Sequence, residues 1–274
     1  MSSHPERQID AQDTASRSRP APELLVRPYT QPPPPTPMGR FLRGLVNSLE
    51  IGVARASRLP DLGVYETRDF PWASALEAGW GSVRSELDQV MVQRDRMPSF
   101  HEIISEVSTI TTDDRWKTFF LIGAGMDCSG NAARCPETMK LLQEVPGIVT
   151  AFFSILAPGK HIPAHRGAYN GVLRLHLGLV VPEPREQCRI RIGERICTWQ
   201  EGKALIFDDT FNHEVWNDTD GWRVVLFIDF ARPLRQPWHW LNRLLIGLGP
   251  LAPFLREAGR KQKRWEKKFY SAGD

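Results

Sequence analysis

IVTAFFSILAPGKHIPAHRGAYNGVLRLHLGLVV, residues 148–181, decides the fold. It holds two runs of β-branched, leucine and aromatic residues, IVTAFFSIL and GVLRLHLGLVV, with Gly159, Gly167 and Gly171 in the return between them. The pattern continues as CRIRIG, RICTW, KALIFD, HEVWN and WRVVLFIDF, with turns at Gly193, Gly202 and Asp220-Gly221. Short runs with tight connections, and no helix between them long enough for a βαβ crossover, predict a double-sheet sandwich or jelly-roll barrel. Such a fold keeps a cavity between its sheets, where inward-pointing polar residues act.

The polar exceptions in these runs are therefore the candidates for chemistry. His165 stands in the PAHRG turn, and His213 opens HEVWN at the end of a strand-turn pair. In VLRLHLGL the leucines 173, 175 and 177 face one way, while Arg174, His176 and Gly178 face the other. Arg174 and His176 either line a polar cavity or form a solvated strand face. Asp208 and Asp209 precede His213, and two carboxylates beside an imidazole are ordinary ingredients of a site for a metal such as iron(II). Either aspartate could complete a ligand set with the two histidines. Arg223 lies in an apolar strand, where an isolated cation is costly unless an anion meets it, and a small dicarboxylate would supply that anion. Two histidines for a metal and two arginines for carboxylates fit a metal with an oxo-acid cosubstrate better than a hydrolase. No serine or cysteine sits in a nucleophile elbow, and no HExxH motif is present.

At 274 residues with 41% hydrophobic content the chain can bury one sizeable core. Residues 1–37 are polar and proline-rich and predict an extended segment without chemistry. Residues 38–60 carry Phe41, Leu45, Leu49 and Val53 at helical spacing between arginines, which predicts an amphipathic helix packed on its own domain or docked on a membrane. The main domain is expected over 61–233, where PWASALEAGWGSVRSELDQVM keeps a helical period and RWKTFFLIG reads as a buried strand. Residues 234–274 predict a helical extension whose basic end, RKQKRWEKK, interleaves aromatics with lysine and suits an anionic bilayer surface. The net charge of +3 is modest, and nucleic acid is not expected as a partner. No apolar run of membrane-spanning length and no signal-peptide pattern appear, so the expectation is a cytoplasmic protein, peripheral on the cytoplasmic face of the membrane if the flanks dock there. Four cysteines form no CxxC pair. Cys128 with Cys135, and Cys188 with Cys197, are conceivable bridges, but free thiols are expected in that compartment.

The strings RWKTFFL, CPETMKLL, VPG, AFFSILAPGKHIPAHRGAYNGVLRLHLGL, FDDTFNHEVWNDTD and RVVLFIDFARP, between residues 100 and 233, resemble the aspartyl/asparaginyl beta-hydroxylase family of iron(II)- and 2-oxoglutarate-dependent dioxygenases. The resemblance implies a mainly β fold with flanking helices, a double-stranded β-helix (jelly-roll, cupin-like) barrel. It implies Fe(II), 2-oxoglutarate and O2 as cofactor and cosubstrates. His165 in HRG and His213 in HEVWN become the metal ligands and catalytic centre. Gly167 stands where the wider superfamily has a carboxylate ligand, so water is expected there. Asp209 and Trp116 are left to shape the surroundings of the metal or the substrate entrance. Arg223 with Ser154 is expected to hold the distal carboxylate of 2-oxoglutarate, and Arg174 with His176 to lie near its metal-chelating end. Members of the family hydroxylate Asp or Asn side chains in proteins, or fatty acyl chains of bacterial lipids such as lipid A. The flanks favour the acyl-lipid class, whereas the Cys128/Cys135 spacing is similar to a pair in secretory-pathway members and points to a peptide. A reading from a different class is a non-catalytic cupin-like binding module.

Overall fold

Period-two alternation divides each long strand between the two faces of a sheet. In the computed structural model, which describes residues 27, 29 and 34–271, six strands form one sheet in the order β1 (Val64–Tyr65), β8 (Ala204–Phe207), β5 (Val172–Val180), β10 (Arg223–Ala231), β3 (Ile148–Leu156) and β2 (Trp116–Ile122). Four more form a second sheet in the order β4 (Lys160–His165), β9 (His213–Asn217), β6 (Cys188–Ile192) and β7 (Arg195–Thr198). Every pairing is antiparallel. The sheets face each other as an open jelly-roll sandwich, not a closed barrel.

Alternation settles which side chains look where. Leu173, Leu175, Leu177 and Leu179 of β5, with Val224, Leu226, Ile228 and Phe230 of β10, point outward and pack under helices. Those helices are α2 (Ala73–Ala78), α3 (Trp80–Met91) and α6 (Pro136–Gln143), which contribute Leu76, Leu87 and Leu142 to the same cluster. The inner face carries Phe152, Leu156, Val225 and Phe227, which meet Ile162, Ile190, Ile192 and Val215 of the smaller sheet. Arg174, His176, Ser154 and Arg223 share that inner parity, so the interior is apolar except where these groups enter it. The helical run expected from Pro71 to Met91 breaks at Gly79 into α2 and α3.

Two expectations need correction, on His165 and on the C-terminal aromatics, and the expected free thiols hold. His165 is not in a free turn: it ends β4, a strand whose Pro163 disguised it. β4 is an edge strand, and its ladder with β9 is interrupted between Ile162 and His165, where a residue without an N–H is tolerated. All four cysteines are free thiols, and the β6–β7 register sets Cys197 against Ile190 and not against Cys188. Burial pushes the Cys128 and Cys135 thiols up to about 12. The aromatics of the C-terminal helix α8 (Pro253–Ser271) belong to the fold. Trp265 packs on Phe119 and donates to the Arg96 carbonyl at 3.1 Å, Phe269 lies buried beneath Arg96, and Tyr270 donates to Asn131 of the short helix α5 (Ser129–Ala132).

The N-terminal flank closes on the sandwich. α1 (Pro37–Ala56) starts at a Thr36 cap that accepts from the Gly39 N–H at 3.1 Å. Its C-terminal half buries Glu50, Val53 and Ala56, and it packs beside α7 (Trp238–Leu248), whose Trp238 ring fills the space that a Cβ on Gly52 would need. Most of the proline-rich segment 1–37 lies outside the described residues, but Arg27 and Tyr29 do not. Arg27 pairs with Asp61 and stacks on Phe211 at 3.5 Å, and Tyr29 donates to the Ala168 carbonyl at 3.3 Å. Both therefore touch the loops that carry the two histidines.

Candidate functional site

Cross-strand register brings His165 and His213 together. They are direct partners in the β4–β9 pair, with ring centroids 4.1 Å apart. Each ring is fixed by its own backbone: His165 Nδ1–H donates to the Pro163 carbonyl at 2.8 Å, and His213 Nδ1–H to the Phe211 carbonyl at 3.0 Å. A carbonyl only accepts, so both imidazoles are held in the tautomer that leaves the Nε2 lone pair unused. Burial lowers the His165 pKa to about 4, with Arg174 adding to the effect. His213 is pushed well below its usual range by burial, then by His165 and Arg174. Two neutral, oriented imidazoles are what a divalent metal needs.

No group of three or more His, Cys, Asp or Glu side chains converges on a metal position among the described residues. Neither aspartate left open by the sequence joins the pair. Asp208 is turned into a buried cluster with Arg232 and Thr210. Asp209 pairs with Arg174 at 2.9 Å, and its carboxylate fills the space that a Cβ on Gly167 would occupy, while the Gly167 N–H donates to the Asp209 carbonyl at 2.7 Å. Gly167 is required there by close approach, and the carboxylate on that side of the histidines comes from the opposite loop.

Arg174 lies beside the histidines with every strong partner supplied by the chain. Register sets it opposite Asp229, to which it donates at 2.9 and 3.3 Å, and it lies over the Phe227 ring at 4.1 Å. Burial alone would lower its pKa, but Asp209 and Asp229 outweigh burial, so it stays cationic.

Deeper between the sheets the situation reverses. The Trp199 indole N–H donates to His176 Nδ1 at 3.3 Å, which leaves His176 Nε2–H as a buried donor without a partner. The Arg223 guanidinium lies over Trp199 at 4.6 Å, and its Nε and Nη1 are also buried without partners. Burial lowers Arg223 to about 10, and burial together with Arg223 holds His176 well below its usual range. Ser154, two register positions along β3 from the partner of Arg223, accepts from the Trp116 indole at 3.0 Å, which leaves its own hydroxyl hydrogen for another acceptor. Each unsatisfied buried donor costs about 1–3 kcal/mol, and more when charged. Arg223 and His176, with Ser154 on the same inner face, therefore present buried donors of the kind a small anion would satisfy. The sequence pattern put Arg174 and His176 together on one strand face. They do share it, but Arg174 is neutralised by aspartates beside the histidines, while His176 stands with Arg223.

A cavity of about 740 Å³ opens at His165. Its polar end is made by His165, Arg174, Asp209 and Asp229. Its apolar end is made by Phe100 of α4 (Phe100–Ile103), by Ile104, Val107 and Ile110 of the turn after it, and by Phe120 and Met126. Tyr29, Arg43 and Leu255, from the two flanks, complete the wall. Sequence reading found none of these flank residues, because no period or motif marks them. His161, on the same strand as His165, bonds Glu214 at 2.8 Å and stacks on Trp216.

The profile of the family described as "Aspartyl/Asparaginyl beta-hydroxylase" matches residues 77–233. The ornithine lipid ester-linked acyl 2-hydroxylase of Rhizobium tropici is 45% identical over 271 residues, 97% of this chain and 95% of that protein. Human aspartyl/asparaginyl beta-hydroxylase is 34% identical over 168 residues, covering 60% of this chain but 21% of the human protein. Among solved structures, a Pseudomonas putida prolyl-4-hydroxylase covers 56% of this chain and 87% of its own at 14% identity and a TM-score of 0.39, an overlap too loose to bear weight. The paired histidines and the buried arginine thus sit in a profile that spans more than half of the sequence, and the chain belongs to the aspartyl/asparaginyl beta-hydroxylase family.

Proposed function

We propose that this hydroxylase acts on a fatty acyl chain of a membrane lipid, as an iron(II)- and 2-oxoglutarate-dependent dioxygenase. His165 and His213 would hold the metal through Nε2. Arg223, His176 and Ser154 would hold the distal carboxylate of 2-oxoglutarate, which answers the three orphaned donors, and Arg174 stands at the metal end. With both bound, O2 supplies one oxygen atom to succinate as 2-oxoglutarate loses CO2, and the other to a C–H bond as hydroxyl. The chain's own part is to fix two neutral ligands, to keep the carboxylate receptor dry, and to align one carbon with the open side of the pair.

The observation that carries the acyl-chain reading is the cavity. Its volume is within the range of about 300–1,000 Å³ usual for ligand sites, and its wall away from the histidines is an apolar trough. A peptide side chain as short as aspartate has no use for that trough, whereas a long alkyl chain fills it. The similarity over nearly the whole length to a hydroxylase named for the 2-position of an ester-linked acyl chain supports the carbon next to an ester carbonyl as the site of attack.

The test is succinate formation by the purified chain with iron(II), 2-oxoglutarate and either an acyl aminolipid or an aspartate-containing peptide. Lipid-dependent succinate with a mass gain of one oxygen on the acyl chain is expected. Turnover with the peptide alone transfers the chain to the Asp/Asn class, and no turnover with either leaves the binding-module reading.

A further inference from the structure

α1 carries one apolar stripe along its whole length, yet only half of it is covered. Val53 and Ala56 at its C-terminal end are buried, while Met38, Phe41, Leu42 and Leu45 at its N-terminal end stand 52–67% exposed. The helix overhangs the body. α7 lies antiparallel beside it: Leu234, just before α7, pairs with Ser57, and Trp238 packs at Gly52. That direction brings the C-terminal half of α7 alongside the overhanging half of α1. Trp240, Leu244 and Leu248, at a spacing of four, are exposed there, and Leu251 and Phe254 continue the row into α8. All but Leu62, Val92 and Ile196 of the large apolar side chains that stand exposed among the described residues fall in these two segments. Scattered singly they would mean little, but a contiguous patch on one side of a protein marks a surface made to be covered.

The rim and the position of the patch say what covers it. Arg40, Arg243 and Arg256 are exposed on the same segments, which draws the face to anionic headgroups. A symmetric pairing of two copies would bring two such positively rimmed patches together. The cavity lies alongside: Arg43 of α1, Tyr29 just before it and Leu255 of α8 all line its wall. We propose that the exposed sides of α1 and α7 form a docking face for an anionic phospholipid bilayer, set so that an acyl chain passes from the bilayer into the cavity without crossing water. The acyl-chain route rests on the proposed hydroxylation of a membrane lipid, whereas the docking face itself stands on the patch and its arginines. The basic end of α8 adds charge to the chain, but its aromatics are spent on the core, so it is the α1–α7 face that inserts.

The experiment is co-sedimentation of the full chain with vesicles of phosphatidylethanolamine and phosphatidylglycerol, comparing the natural chain with a Phe41→Glu/Leu244→Glu double variant. Neither residue lines the cavity. The natural chain is expected in the pellet, and the double variant, with unchanged circular dichroism and melting temperature, should partition at least about tenfold less. Vesicles of phosphatidylcholine alone should also bind less. A natural chain that stays in the supernatant with anionic vesicles at low salt overturns the proposal, as does a double variant that pellets equally well. A dimer that the double substitution converts to monomer on gel filtration overturns it too, by assigning the face to a second copy. Succinate formation on acyl lipid dispersed in detergent separates the two readings. The double variant should keep its rate there, and a natural chain that binds vesicles but oxidises no lipid leaves the docking face standing while the reaction falls.

Discussion

Arg223 is a cation held 2% exposed with two of its nitrogens idle, and that cost sets the first expectation. Arg223→Met should leave the ligand-free protein as stable or more so, since replacing a buried unpaired charge by an apolar group of similar size is often favourable. The same change should raise the KM for 2-oxoglutarate about 100-fold, the equivalent of losing roughly 3 kcal/mol of charge-assisted bonding, and should abolish thermal stabilisation by the cosubstrate. Kinetics and a melting curve with and without 2-oxoglutarate check both halves. His165→Ala and His213→Ala should each reduce succinate formation to background while the fold survives, read by activity and circular dichroism together. A third expectation concerns the pair Gly167 and Asp209. Gly167→Asp alone would be driven against the Asp209 carboxylate, whereas Gly167→Asp with Asp209→Gly vacates that space. Metal affinity by calorimetry should fall in the single variant and recover in the double one. Much of this scale was legible: alternation along VLRLHLGL placed Arg174 and His176 on one face, and the apolar neighbours of Arg223 marked it as a buried cation short of partners. The partner of Gly167 was not legible, because it comes from a loop that the register of β4 with β9 brings close, and no local pattern encodes that register.

At the scale of elements, the strands showed themselves wherever they were long and apolar, as in β3, β5 and β10. β4 escaped notice because it is polar, carries a proline and sits at an edge. What holds it in place is also polar. The buried Lys160 at its start donates to Thr111 at 2.8 Å and to both oxygens of Asp113 at 2.9 and 3.0 Å. Burial alone would raise the Asp113 pKa, but Lys160 and Arg115 outweigh it and bring the carboxyl to about 2. Against an ordinary value of about 3.9, the contribution of this carboxylate is complete above about pH 4 and is lost as pH falls toward 2. Asp113→Asn should therefore flatten the acid limb of a stability-against-pH curve measured by denaturant unfolding. It should also lower stability at neutral pH by leaving Lys160 buried without a counter-charge. If the acid limb is unchanged in the variant, β4 is anchored by something else.

For the whole molecule, the sandwich was readable from composition and turn spacing, while the role of the flanks was not, since helical periodicity reports an apolar stripe but not what it lies against. The cavity is finished by side chains from both ends of the chain, so its length can be tuned from the C-terminal helix. Leu255→Trp should shift the preference toward shorter acyl chains, measured as the ratio of kcat/KM for a short and a long substrate. The N-terminal flank is bound more tightly still. Glu50 of α1 meets Arg166, the residue after His165, at 2.8 Å with both side chains almost fully buried, and the Glu50 carbonyl accepts from Asn170 at 2.8 Å. A fragment cut to the 77–233 span of the family profile would lose this ion pair and the Asn170 contact next to His165, together with the burial of Val53 and Ala56, and is expected to melt at a lower temperature than the full chain. In the terms of domain shuffling, the jelly roll of this chain is not a ready-made cassette: its first helix supplies the counter-charge of the residue next to His165, so a recombination that moved the sandwich alone would have to supply another.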